Sequence, residues 1–442
     1  MKRTIFLILF HLSLGMYSQE METVLEKLLE KHPEIRSLNS ELISKRGNAN
    51  HDTTYPDPKI GVAFRNYPTR SYSLNDKEYD TPGMTGIEYS VSQEIPFPGK
   101  LTLQGKTSKL NEIEFSHFVK SRQNQFLFEY LSNLIRLKSA EKKVLFNELI
   151  QKTLESQKKI STSTYATGNS SLSQSLKLQV EGTLAKEKEI ELNRDKEIAI
   201  ASFYYFENNT DLSKEQILKV DTSHYLFRKK EFLFSQKDKL ISRLAENPNY
   251  KLSTVALERS KQESKLASIL HAPDTEVFFS YMKRRNRIYT VDDGPFNYQI
   301  MDNTEYRGDL FSFGVNVRVP VWSFFSKHEI DTRSEENVKS KNFELERNKI
   351  FLESSLKKLQ VTMESLENQL NLIQKQLIPE LEKTQLALTS QFGAGKINLS
   401  EVLNTKLDIY KAHISAEEIE EKRAITLLMI LDLTDYLYIK DK

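Results

Sequence analysis

Eight histidines are the first residues able to ligate metal or move protons, but their spacing gives none of them a partner. His11, His32, His51, His117, His224, His271, His328 and His413 form no HxxxH pair. His328-Glu329 begins a zinc helix, yet Ile330-Asp331-Thr332 follows and the second ligand of HExxH is missing. Gly393-Ala394-Gly395 begins a GxG, but Asn398 stands where the third glycine belongs. Neither a GxxxxGK[ST] phosphate loop nor a GxSxG nucleophile elbow occurs. Asp292-Asp293-Gly294 sets two acids in a loop without the spacing of a calcium hand. The absence of cysteine removes disulfides, thiolate zinc sites, iron–sulfur clusters and thiol nucleophiles together. A non-enzyme with no cofactor and no resident metal is expected.

The elements behind these residues are unusual. Across 442 residues there are only 14 glycines and 12 prolines, while 28% of residues are charged. Few turns and many charges point to long helices with wet faces. The 63 basic and 61 acidic residues nearly cancel, which argues against nucleic acid as a partner. Mean hydropathy of −0.52 excludes a multi-pass helical membrane protein. Lys2-Arg3 followed by Ile5 to Phe10 has the form of a secretory signal over residues 1–18. No cysteine follows that apolar run, so no lipoprotein anchor is expected.

The chain reads as the same unit written twice, over residues 19–235 and 236–442. His32-Pro33 pairs with Asn247-Pro248, Pro56-Asp57 with Pro273-Asp274, and Ile95-Pro96 with Val319-Pro320. Tyr165-x-x-Gly168-x-x-x-Leu172 pairs with Phe392-x-x-Gly395-x-x-x-Leu399, and the offsets grow slowly and in order. Each half reads as helix, strand, loop, strand, long helix, turn, helix.

The strands alternate. Phe311, Phe313, Val315, Val317 and Val319 interleave with polar residues or glycine, as do Ile87, Tyr89, Val91 and Ile95. Ile60-Val62-Phe64 and Val277-Phe279-Tyr281 are weaker versions. Period two over about ten residues fits a half-buried soluble strand or a transmembrane barrel strand with one face in lipid. Four strands cannot close a barrel, since about eight is the smallest number that does, whereas three copies would supply twelve. Long polar loops are expected between the strands of each hairpin, from about Arg65 to Thr85 and from about Arg284 to Arg307.

Two rods complete the pattern, from Leu101 to about Thr164 and from about Lys327 to Ser390, each about 95 Å long at the α-helical rise. Leu352, Leu356, Leu359, Met363, Leu366, Leu370, Ile373 and Leu377 alternate spacings of four and three, a coiled-coil stripe. Pro379 is expected to kink the second rod. Ile198 and Ile425 head apolar segments expected to pack internally.

In this order the residues resemble the TolC-type outer-membrane efflux channel family. The likeness rests on the duplicated layout, on the His32-Pro33 and Asn247-Pro248 helix starts, and on Gln93-Glu94-Ile95-Pro96-Phe97-Pro98-Gly99-Lys100-Leu101. It rests further on Pro379 and on the turn from Gln391 to Asn404. The resemblance implies a mainly α fold with a β-barrel: a homotrimeric twelve-stranded transmembrane barrel continued by a long periplasmic α-helical barrel. It implies a passive exit duct in outer-membrane lipid, joined through a periplasmic adaptor protein to an inner-membrane pump of the resistance-nodulation-division type. By position, Glu401 falls on an aperture carboxylate. Asn404 stands where many members carry a second acid, so a double acidic ring is not implied. Gly168, Leu172, Gly395 and Leu399 fall on adaptor-docking tips, with the two leucines packing the return helices. Tyr89, Val91, Phe311, Phe313, Val315 and Val317 fall on the lipid-facing strands. A periplasmic coiled-coil scaffold and a type I protein secretion duct remain alternatives, and no residue names the cargo.

Overall fold

The computed structural model describes residues 21–67, 83–166, 172–207, 222–235, 239–291 and 301–437. The signal segment and Gly168 lie outside them. By internal contact the chain separates into two compact units, one comprising residues 44–113 and 255–343 and the other the remaining segments, so each draws on both halves of the sequence.

The element order is α1 (Pro33–His51), β1 (Lys59–Arg65), β2 (Gly86–Ile95), α2 (Lys100–Ala166), α3 (Leu172–Glu207) and α4 (Thr222–Ser235). Next come α5 (Pro248–Ser268), β3 (Asp274–Arg284), β4 (Arg287–Val291), β5 (Met301–Glu305) and β6 (Leu310–Arg318). The chain continues through α6 (Val321–Phe325), α7 (Lys327–Leu372), a π-helical turn (Ile373–Leu377), α8 (Ile378–Gly393) and α9 (Leu399–Leu433). The 67 residues of α2 contain no proline and one glycine, which is what a rod of about 100 Å requires.

Two helix starts are built alike. His32 precedes Pro33, and its Nδ1 accepts the Glu34 N–H, leaving Nε2 to donate to the Tyr205 carbonyl near the end of α3 (2.9 Å). Asn247 precedes Pro248, and its Oδ1 accepts the Asn249 and Tyr250 N–H groups. The Asn247 Nδ2 donates to the Leu433 carbonyl at the end of α9 (3.0 Å). In both, proline at the first helical position supplies a preset φ, while one polar side chain caps the helix and fastens it to a return helix.

Around the first of these starts sits an aromatic nest of His32, Phe126, Tyr130, Phe203, Tyr205 and Phe206, with ring centroids 4.6–6.2 Å apart. It continues into a core of Leu25, Leu28, Leu131, Leu134, Leu428 and Leu431, all essentially buried. The segments headed by Ile198 and Ile425 both pack there as expected, the first through Ala199, Phe203 and Phe206 and the second through Leu427, Leu428 and Leu431, although Ile198 itself is 57% exposed.

The heptad stripe holds along α7, where Leu352, Leu356, Met363, Leu366 and Leu370 are buried. It then slips. Pro379 has no N–H to bond the carbonyl one turn back, and a π-helical turn over Ile373–Leu377 precedes it. The extra residue rotates the stripe, so Leu377 is 42% exposed and its neighbour Ile378 is only 7% exposed. The loop expected from Arg284 to Arg307 also differs, because β4 and β5 pair in it from Arg287↔Glu305 to Val291↔Met301.

At the end of α9, Asp435 occupies the left-handed region (φ 57), and the Tyr436 N–H bonds the Leu431 carbonyl as in a Schellman cap. Lys120 and Asn124 on α2 hold the Asp435 carboxylate there. Burial, with the Asp435 charge beside it, pushes the Asp432 carboxyl up from 3.8 to about 6. The folded chain therefore holds a proton that the unfolded chain releases between these values, and stability falls as pH rises through that window. Above it the cost is about 2–3 kcal/mol. Asp432→Asn is expected to raise the thermal midpoint at neutral pH and to change it little at pH about 4, as read by helical circular dichroism.

Candidate functional site

Two regions bring the singled-out residues together: one antiparallel sheet and the turn between α8 and α9. The sheet has the order β1-β2-β3-β6, so the two hairpins join through a central β2–β3 pair. Its register stacks apolar residues in rows. Ile60 lies opposite Val91 and Val62 opposite Tyr89. Tyr89 lies opposite Tyr281 and Val91 opposite Phe279. Tyr281 in turn meets Phe311, Phe279 meets Phe313 and Val277 meets Val315. All these apolar residues therefore share one face. That face is bare: Ile60 is 80% exposed, Phe311 68% and Phe313 87%. Tyr89, Val91, Val315 and Val317 are exposed on it too.

The other face is mostly small, polar and charged, with Phe278, Met282 and Leu310 as its large apolar residues. Ser92 donates to Glu276 (2.8 Å), which also accepts from Asn316 (3.3 Å). Lys59 stands between Glu276 (3.7 Å) and Glu94 (3.9 Å), and Arg318 lies 3.5 Å from Glu94. Arg65 pairs with Glu88. At Gly314 a Cβ would come within 2.7 Å of the Phe278 ring that lies across it, so a larger residue there would make the ring shift. The strand-to-helix exit is fixed by Asp274, which accepts from the Phe97 N–H (2.9 Å) and the Lys100 ammonium (2.8 Å). β1 and β6 are the two edges of this sheet, and neither is paired on its outer side among the described residues.

At the turn, α8 ends in a Schellman cap. Gly395 takes φ +71, its N–H bonds the Phe392 carbonyl (2.9 Å), and the Lys396 N–H bonds the Gln391 carbonyl (3.0 Å). Asn398 then opens α9. Glu401 is exposed in the first turn, where the helix dipole favours an acid. Asn404 is exposed one turn on, and its Oδ1 accepts from the buried Gln157 of α2 (3.0 Å). Asp408 extends the same exposed stripe and was not singled out from sequence, although its spacing of seven from Glu401 is the signal that would have found it. Leu399 is half-buried, whereas Leu172 is 54% exposed, so within one chain Leu172 does not pack the return helix as expected. Leu176, Val180 and Leu184 continue that bare apolar row along α3. Among the described residues no group of three or more acidic or histidine side chains converges as a metal site. No described helix is long and apolar enough to cross a membrane.

The fold is shared with solved structures. The Campylobacter jejuni CmeC outer-membrane channel superposes with a TM-score of 0.69 at 10% identity, over 96% of this chain and 87% of that one. The open state of the Neisseria gonorrhoeae MtrE outer-membrane channel gives 0.66 at 12%, over 95% and 88%. The Vibrio cholerae outer-membrane protein VceC gives 0.67 at 11%, over 93% and 95%. This chain has the TolC-type outer-membrane channel fold. No family model matches the sequence, and no curated protein matches it.

Proposed function

We propose that the protein is the outer-membrane duct of a tripartite efflux system, passive and trimeric. The observation that carries this reading is the open four-stranded sheet, with one mostly apolar exposed face and two edges unpaired among the described residues. In water such a face and such edges favour aggregation. Three copies joined β1 to β6 make twelve strands with no edge, the apolar face turned to lipid and the charged face to a wet lumen. At about 3.4 Å per residue and a tilt of about 45°, the nine residues of β6 span roughly 22 Å of bilayer normal, close to the ~25 Å apolar band of such barrels. The bare rows Leu172-Leu176-Val180-Leu184 on α3 and Val361, Leu372 and Leu386 on α7 and α8 supply apolar surface for neighbouring copies. The matched caps at His32 and Asn247 support an internal duplication, with repeats over 19–235 and 236–442.

On this reading the Gly395 turn and its counterpart near Gly168, with Leu172 and Leu399, meet a periplasmic adaptor that leads to an inner-membrane pump. Glu401, Asn404 and Asp408 line the inner aperture, where three copies set rings of carboxylates that draw cations. Glu401→Gln, and further Glu401→Gln with Asp408→Asn, are expected to lower cation preference severalfold in planar bilayers at neutral pH. Unchanged selectivity in the double variant would remove these residues from the pore.

The chain has no native cysteine, so the closure can be tested directly. Val62→Cys on β1 is combined in turn with cysteine at Phe311, Phe313, Val315 or Val317 on β6, and the protein is oxidised in membranes. One β6 position should give a ladder ending at a cross-linked trimer. Absence of intermolecular cross-links at all four positions contradicts a closed barrel.

A further inference from the structure

Directly after β6 the chain exposes a dense run of apolar side chains. Val319 is 64% exposed, Val321 51%, Trp322 84%, Phe324 66% and Phe325 73%. The backbone fixes them in place: the Val321 N–H bonds the Val319 carbonyl (2.9 Å), the Phe324 N–H bonds the Pro320 carbonyl (3.1 Å), and the Ser326 N–H bonds the Trp322 carbonyl (3.3 Å). Phe325 touches both other rings, with centroids 6.4 Å from Trp322 and from Phe324. Water is a poor solvent for such a surface.

Its position says what covers it. The outward row Phe311, Phe313, Val315 and Val317 ends with β6, and Val319 to Phe325 follow it directly in the chain, so the patch begins where the face read above as lipid-facing stops. On its far side the exposed Lys327, His328 and Glu329 end the apolar surface abruptly. The patch is thus a narrow belt with hydrocarbon-like surface on one side and charge on the other. Tryptophan suits such a boundary, because its ring is apolar while its indole N–H can donate to an ester or phosphate oxygen. Lys327 adds a cation at the height of the phosphates.

We infer that α6 is an interfacial anchor: it lies in the phospholipid headgroup layer at the rod-side end of the barrel and fixes the depth at which the barrel sits. This rests on the channel reading but adds to it a lipid contact outside the strands. The contact is made by aromatic rings from a helix, and its ligands are glycerol ester and phosphate groups.

Trp322 is the only tryptophan of the chain, so the unaltered protein reports on this site by itself. The protein is reconstituted in phosphatidylcholine vesicles brominated near the glycerol backbone or near the acyl chain ends, and emission is compared with that in unbrominated vesicles. Shallow bromines should quench Trp322 more strongly than deep ones, with emission shifted to the blue of the denatured chain. Quenching by aqueous iodide without quenching by either bromolipid overturns the anchor. So does insensitivity to all quenchers, which would place another protein surface over α6, and so does quenching greatest with deep bromines. A second protein, Trp322→Phe with Phe313→Trp, separates the two readings. Deep quenching at position 313 without shallow quenching at 322 removes the anchor and leaves the barrel, whereas no bromolipid quenching at 313 removes the barrel itself.

Discussion

Phe313→Arg is expected to abolish assembly in the membrane, while Ser312→Arg one residue away is expected to be tolerated. Phe313 sits mid-strand on the apolar face, cross-strand from Phe279, and is 87% exposed in a single chain. Arginine at that depth of a lipid-facing strand costs about 2–4 kcal/mol, and a trimer carries the change three times. Ser312 lies on the opposite face, cross-strand from Ser280 among charged and small residues, where an added cation meets water. Unboiled gel migration and the yield of detergent-extracted trimer check the pair. For an exported scaffold with a soluble sheet, a residue as exposed as Phe313 would accept arginine at little cost, so equal behaviour of the two variants contradicts the membrane face.

The second large effect lies in the rod. Leu356→Ala is expected to destabilise the helical region by about 2–5 kcal/mol, because Leu356 is 1% exposed among the core leucines. Beyond the π-helical turn, Ile378→Ala is expected to cost about 2 kcal/mol or more, and Leu377→Ala less than about 1 kcal/mol. A continuous heptad gives the reverse order for the last two. Thermal unfolding followed by circular dichroism separates these cases. A larger loss in Leu377→Ala than in Ile378→Ala contradicts the slipped stripe.

Legibility in the sequence followed the range of the physics involved. Strand alternation and rod length are local patterns, so Phe311 to Val317 and the 67-residue α2 could be read from composition and spacing. The Gly395 turn was legible because a left-handed residue after a long helix favours glycine. The central β2–β3 pair was not legible: it joins strands far apart in the chain, and each strand's pattern is silent about which neighbour it takes. The β4–β5 pair was hidden by the polar residues around Arg287–Val291, which read as loop. Pro379 announced a defect but not its form, since one missing hydrogen bond does not say that a π-helical turn forms before it. The exposure of Leu172 and the Gln157 bond to Asn404 depend on which helix faces which, and no spacing within one helix contains that. At the pore stripe, the family likeness drew attention to Glu401 and Asn404, while plain helical spacing pointed one turn further to Asp408.

Membrane residence of the closed trimer is the centre of the proposal, and fractionation of the expressed chain in a Gram-negative host tests it most directly. The expected result is recovery in the outer-membrane fraction, release only by detergent, and migration of the unboiled protein as a trimer that collapses to the single chain on heating. Recovery of folded, monomeric protein from the periplasm without detergent would contradict it.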